Sequence, residues 1–119
     1  MDALEQFFGA WSETDTDARK SAIADAAADG FIYSDPRSGK RLDTPDAISD
    51  YIGAFSASAP GWTAKVVTAD EVNGYVRAVV AFGGMGPDGS EMVQHGTYFA
   101  ELDTAGKLKL LAGFVGKAE

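Results

Sequence analysis

The chain has no cysteine. Disulfide frameworks, thiolate nucleophiles and zinc-thiolate centres are therefore excluded, and stability must come from packing. Its one histidine is His95, and a lone imidazole does not supply the several ligands that a metal site wants. Basic side chains are few. Ten Lys and Arg against eighteen Asp and Glu give a formal charge of −8, which opposes attachment to phosphate backbones and anionic bilayers. Neither nucleic acid nor a membrane is an expected partner. No run approaches the ~20 apolar residues of a membrane-crossing helix. The segment Met1-Asp2-Ala3-Leu4-Glu5 shows no basic stretch followed by an apolar one, so a cytoplasmic location is expected. Phosphate-cradling glycine loops, serine elbows and paired metal ligands at helical spacing are missing too, so no cofactor and no metal are expected.

What is present patterns into one domain spanning residues 1–119, a size at which roughly two thirds of the unfolded surface is buried on folding. Leu4, Phe7, Phe8 and Trp11 recur at helical spacing, which predicts a first short helix ending near Ser12 with one strongly apolar face. Thr14-Asp15-Thr16-Asp17 offers oxygen acceptors for the start of a second helix over 18–28, which Asp29-Gly30 is expected to stop. The aromatic and β-branched run Phe31-Ile32-Tyr33, closed by Ser34-Asp35-Pro36, predicts a first strand. After a polar loop, Thr44-Pro45 reads as a cap and first turn of a third helix with Ile48, Tyr51, Ile52 and Phe55 on one stripe, and Pro60-Gly61 closes it.

From Trp62 the apolar period changes to two. Trp62, Ala64 and Val66 oppose Lys65, and Asn73-Gly74 is a hairpin signal. In the strand over 75–86, Val76, Ala78, Val80 and Phe82 face one way and Tyr75, Arg77 and Val79 the other. Gly83-Gly84-Met85-Gly86 is a flexible strand end, and Pro87-Asp88-Gly89 a turn. A strand over 91–102 and a last one follow; in the last, Leu108, Leu110, Ala112 and Phe114 alternate with Lys107, Lys109 and Leu111. Helices followed by an antiparallel meander argue an α+β fold with the helices on one sheet face.

This order of elements resembles the nuclear transport factor 2-like superfamily, which includes SnoaL-like and ketosteroid isomerase-like proteins. The motifs that carry the resemblance are Tyr33-Ser34-Asp35-Pro36, the segment from Thr44 to Tyr51, Gly96-Thr97-Tyr98-Phe99-Ala100-Glu101, and Leu102-Asp103 running through Gly106-Lys107 into Gly113-Phe114. The resemblance implies a cone-like curved antiparallel sheet around a mostly apolar cavity, roofed by three N-terminal helices. It also implies a homodimer joined through the outer sheet face, where Val67, Val79, Phe99 and Leu111 are expected.

By the same resemblance Asp35 stands where ketosteroid isomerases carry their catalytic aspartate. A carboxylate in an apolar cavity has its proton affinity raised by desolvation, which suits a general base. An aspartate before proline also serves to accept backbone amides of the following loop. The resemblance puts Tyr98 at the late-strand acid position of such isomerases, either as a donor to a developing oxyanion or as a cavity wall. Their first helix carries a tyrosine, where this one has Phe7, Phe8 and Trp11. His95 would join Asp35 as a proton relay if Gly96 marked a bulge that turned it inward; otherwise it faces solvent or an interface. Tyr33, Tyr51, Phe55, Trp62 and Phe82 are expected to frame a ligand pocket, although such spacings equally build plain core. Arg37 and Arg41 would meet an acidic ligand group or serve as surface ion-pair partners.

The expected function is a small-molecule-binding protein of the SnoaL-like type. Its ligand is a compact apolar or carbonyl-bearing compound, and Asp35 is the general base of an isomerisation, cyclisation or hydration. The alternative is a non-catalytic binding or dimerisation module whose cavity is filled by side chains. An open pocket of a few hundred cubic ångströms with Asp35 facing it separates the two.

Overall fold

The computed structural model describes residues 3–86 and 88–116. Leu4, Phe7 and Phe8 lie on the buried side of helix α1 (Ala3–Gly9), and a single 3₁₀ turn, Ala10–Ser12, carries Trp11 into the same interior. Helix α2 (Thr16–Ala26) starts on Asp15, whose side chain accepts from Ala18 N at 2.9 Å. It stops two residues earlier than the sequence suggested. The strand β1 (Ala27–Ser34) begins at once, and Gly30, at φ +77°, falls inside it rather than capping the helix. The pairing of β1 skips from Ala27↔Leu108 to Ile32↔Leu110 around this glycine. An Asp-Gly pair supplies a left-handed residue equally well to a helix end and to a strand irregularity.

Helix α3 (Pro45–Ser58) has the anticipated Thr44 cap, whose Oγ1 accepts from Ala47 N at 3.1 Å, and Ile48 and Ile52 fill its inner face. A buried guanidinium fastens it to α2. Arg19 donates to Ser49 Oγ at 3.3 Å and to the Glu13 carbonyl at 3.0 Å, and glycine at 53 leaves it room, since a Cβ there would lie 2.8 Å from Arg19 Nη2. None of the helices is long and apolar enough to cross a membrane among the described residues.

Four antiparallel strands follow: β2 (Thr63–Val72), β3 (Tyr75–Met85), β4 (Glu91–Leu102) and β5 (Leu108–Val115). Asn73 and Gly74, at φ 53° and 86°, make the tight β2–β3 turn, whose two left-handed residues match the twist of the strands. The β3–β4 turn contains Gly89 at φ +82°; Pro87, assigned to it from the sequence, lies outside the described residues. The meander is completed by β1, which joins β5 in parallel, so the five-stranded sheet is mixed, with order β1-β5-β4-β3-β2. The result is an α+β fold with all helices on one face of the sheet.

Val76, Ala78, Val80, Tyr98, Ala100, Leu108 and Leu111 form the sheet side of the core. Leu111 is a correction. It was expected on the outer face, yet it is fully buried opposite Ala100. The β4–β5 register jumps between Glu101↔Leu110 and Leu102↔Leu108, leaving Lys109 as an extra residue that reverses the alternation beyond it. Leu110, Ala112 and Phe114 consequently pair with the outward residues Glu101, Phe99 and Thr97.

Candidate functional site

At the end of β1 the backbone N–H and C=O of Tyr33 both bond to Leu42, at 2.9 and 2.8 Å. This clasp closes the intervening residues into a small loop. Within it Asp35 Oδ1 accepts from the backbone N–H of Arg37 at 2.9 Å and of Ser38 at 2.8 Å. The carboxylate thus performs the loop-capping role open to an aspartate before proline. Tyr33, two residues back on the same strand face, also donates its hydroxyl to Asp35 Oδ2 at 2.6 Å. From α3, Tyr51 donates across both carboxylate oxygens, at 2.7 and 2.8 Å. Tyr98 of β4 reaches Tyr33, hydroxyl to hydroxyl, at 3.1 Å. Its ring needs the bare backbone of β5 beside it: a Cβ at Gly113 would stand 2.5 Å from Tyr98 Cε2.

Asp35 therefore heads a cluster of three tyrosines drawn from three elements. Burial, then the neighbouring Tyr98 and Asp35 charges, hold the Tyr33 phenol well above the ordinary tyrosine range. Tyr51 is raised by burial and by its bond to Asp35, and Tyr98 by burial with a smaller contribution from the Asp35 charge. All three are neutral phenols at physiological pH.

A pocket of about 590 Å³ opens beside this cluster. Trp11, Asp35, Tyr51, Phe55, Phe82 and Tyr98 line it, and the exposed Arg37 and Gln94 sit at its rim, joined by a 3.2 Å bond from Arg37 Nη2 to Gln94 Oε1. The deeper interior is closed by aromatic packing. Phe8 contacts Tyr98 edge-on with ring centroids 4.9 Å apart, and Trp11 meets Phe55 at 5.0 Å and Phe82 at 5.4 Å. Both sequence-level alternatives thus describe part of the molecule: side chains fill the base, and a hollow with Asp35 on its wall remains at the open end.

Two anticipated pocket residues are elsewhere. Tyr33 is fully buried beneath the pocket and acts through Asp35. Trp62 packs its indole on Gly84 and donates Nε1–H to the Met85 carbonyl at 3.1 Å, so it covers the end of β3. His95 also lies along the pocket, but the anticipated bulge is absent. The β3–β4 ladder runs unbroken from Met85↔Glu91 to Tyr75↔Glu101, which puts His95 on the outward parity with Ala81 and leaves it out of the described hydrogen bonds of Asp35. Gly96 has a packing reason instead, since a Cβ there would come within 3.1 Å of the Tyr98 ring and 3.3 Å of the Phe114 carbonyl oxygen.

Sequence reasoning missed the dual hold on Asp35 by Tyr33 and Tyr51. The Tyr33 half had a signal, because residues i and i+2 of a strand share a face. Trp11, read only as part of the first helix's apolar face, forms part of the pocket wall, and its Nε1–H is buried without a partner. Among the described residues no group of three or more His, Cys, Asp or Glu is arranged to hold a metal ion.

No protein-family model and no curated protein matches the sequence. Solved structures do match in fold. A SnoaL-like family protein from Agrobacterium tumefaciens superposes with a TM-score of 0.80 at 24% identity, covering 97% of this chain and 95% of that one. A ketosteroid isomerase-like protein from Catenulispora acidiphila, in complex with trimethylamine, gives 0.77 at 13% identity over 96% of this chain and 85% of the other. A nuclear transport factor 2-like protein from Exiguobacterium gives 0.73 at 20% identity over 98% and 99%.

Proposed function

We propose that this chain, which has the fold of the nuclear transport factor 2-like superfamily, binds a compact, largely apolar small molecule in the pocket beside Asp35. The observation that carries the proposal is the pairing of one fixed carboxylate with aromatic walls around an open space of about 590 Å³, a size in the usual range for ligand sites. The trimethylamine complex of the Catenulispora neighbour supports a small ligand at this fold.

The more specific form of the proposal is catalytic. Asp35 would act as the general base of an isomerisation, cyclisation or hydration of a carbonyl compound. Tyr51 favours this form because its proton is shared between both carboxylate oxygens. As Asp35 takes a proton from carbon next to the carbonyl, its demand for donors falls. The Tyr51 O–H can then turn to the oxyanion that forms, in a pocket where such a bond is strong. Screening small carbonyl compounds by thermal shift identifies a ligand, since one present at a hundredfold its Kd stabilises by about 2.7 kcal/mol. The Asp35→Asn variant should then reduce turnover of that compound by at least about a hundredfold, the usual contribution of a positioned base. Unchanged turnover would remove the catalytic form and leave binding standing.

We also propose a homodimer through the outer sheet face. Tyr75 and Phe99 stack there with centroids 5.8 Å apart, and both, with Phe114, are about half exposed. These residues surround an apolar depression, a liability on an uncovered sheet. Sedimentation of the native chain should give twice the monomer mass, and Phe99→Glu should give the monomer. A monomeric native chain at micromolar concentration would refute this association.

A further inference from the structure

A phenol has one proton and gives it in one direction at a time. Tyr33 Oη lies 2.6 Å from Asp35 Oδ2 and 3.1 Å from Tyr98 Oη. The shorter, charge-assisted contact takes the Tyr33 proton, so Tyr98 is the donor within the tyrosine pair. Tyr51 directs its proton to the carboxylate as well. Every phenolic proton of the cluster therefore runs toward Asp35, along Tyr98 to Tyr33 to Asp35 and directly from Tyr51.

What these groups present to the pocket is then of one kind. The oxygens of Tyr51 and Tyr98 offer lone pairs, and Asp35 offers its negative charge. The aromatic rings of Trp11, Phe55 and Phe82 line the same space and can receive a cation on their faces. At the inner wall the indole donor, Trp11 Nε1–H, is shut off by burial, and the remaining side-chain N–H donors of the lining, on Arg37, Gln94 and His95, belong to the outer part of the pocket. Arg37, the cation at the rim, is exposed and turned to Gln94. At longer range the formal charge of −8 draws cations toward the molecule. Beside Asp35, a ligand group that carries only acceptors would set lone pairs against lone pairs unless a tyrosine abandoned the carboxylate. A ligand that carries N–H donors and a positive charge meets the phenolic lone pairs and the Asp35 charge with every tyrosine still bonded to Asp35.

We infer, building on the small-molecule-binding reading above, that the pocket selects protonated amines with a compact apolar body. The ammonium hydrogens bond to the phenolic oxygens within reach of the Asp35 charge, while the hydrocarbon packs on the rings. The selectivity comes from the direction of the hydrogen bonds rather than from shape.

The test uses three probes of one shape on the full chain at neutral pH: cyclohexylammonium, cyclohexanone and cyclohexanecarboxylate. Isothermal titration should show cyclohexylammonium binding about tenfold or more tightly than the ketone, the difference between a charged and a neutral hydrogen bond. The carboxylate should bind most weakly. In Asp35→Asn, checked for folding by near-ultraviolet circular dichroism, the preference for the ammonium should fall to about one. Should that variant not fold, the native chain decides: added salt must weaken ammonium binding and leave the ketone unaffected. Equal or tighter binding of the ketone overturns the amine inference while the binding proposal survives. If none of the three binds, both fall. A salt-independent ammonium affinity, or an Asp35→Asn variant that keeps the preference, also overturns the inference.

Discussion

Phe8→Ala should lower the free energy of unfolding by about 3–5 kcal/mol and the Tm by roughly 10–20 °C. Phe8 is 1% exposed, and its ring meets those of Phe7, Trp11, Phe82 and Tyr98, which come from the N-terminal helical segment and two strands. The cost of such a deletion depends on how far the surroundings can collapse into the space left behind. Here they cannot move far, because Tyr98 is tied to Tyr33 through its hydroxyl and backed by the bare β5 strand at Gly113. Phe55, half buried at the pocket, should lose about half as much on the same change, since water can enter there. Urea unfolding of the two variants measures both. A loss below about 1 kcal/mol for Phe8→Ala would contradict the packing of the closed end of the sheet.

Alkaline titration should produce the second large effect. An exposed phenol loses its proton near pH 10, whereas Tyr33 and Tyr98 hold theirs to higher pH in the folded chain because burial disfavours the phenolate. Above that pH the unfolded chain binds fewer protons than the folded one, so stability is intact below pH ~10 and falls as the pH rises further. Each tyrosine kept neutral removes about 1.4 kcal/mol per pH unit. Tyr51 acts in the same direction with a smaller share, being closer to solvent. Denaturant unfolding between neutral pH and the alkaline limit, with ultraviolet detection of phenolate, should show cooperative unfolding coincident with tyrosine ionisation. Tyr98→Phe should make the decline shallower by about one proton. Ionisation of all four tyrosines near pH 10 in a still-folded chain would contradict the buried network.

Much of the architecture was legible because local and long-range requirements agree. Thr44-Pro45 caps a helix whose stripe also faces the core, and Asn73-Gly74 turns a hairpin whose flanks already alternate. Legibility ended where one pattern serves two geometries. Asp29-Gly30 reads as a helix stop and became a strand irregularity. The β5 strand carries adjacent leucines at 110 and 111, and nothing in its alternation marks Lys109 as the extra residue that sends Leu111 inward. Gly96 could have marked a bulge, but the ladder is regular there and a Cβ would crowd the Tyr98 ring and the Phe114 carbonyl. Of the site, Asp35 was legible from the strand end and the fold resemblance. The bond between Asp35 and Tyr51 was not, because it depends on how α3 docks against β1, which no local signal encodes.

The pair of hydrogen bonds between Tyr33 and Leu42 makes the Asp35 segment a closed loop of backbone whose two ends are already joined. For the binding proposed above, a guest arriving at the carboxylate would have little of this loop to immobilise, so little conformational entropy would be lost on docking and more of each contact would survive as affinity.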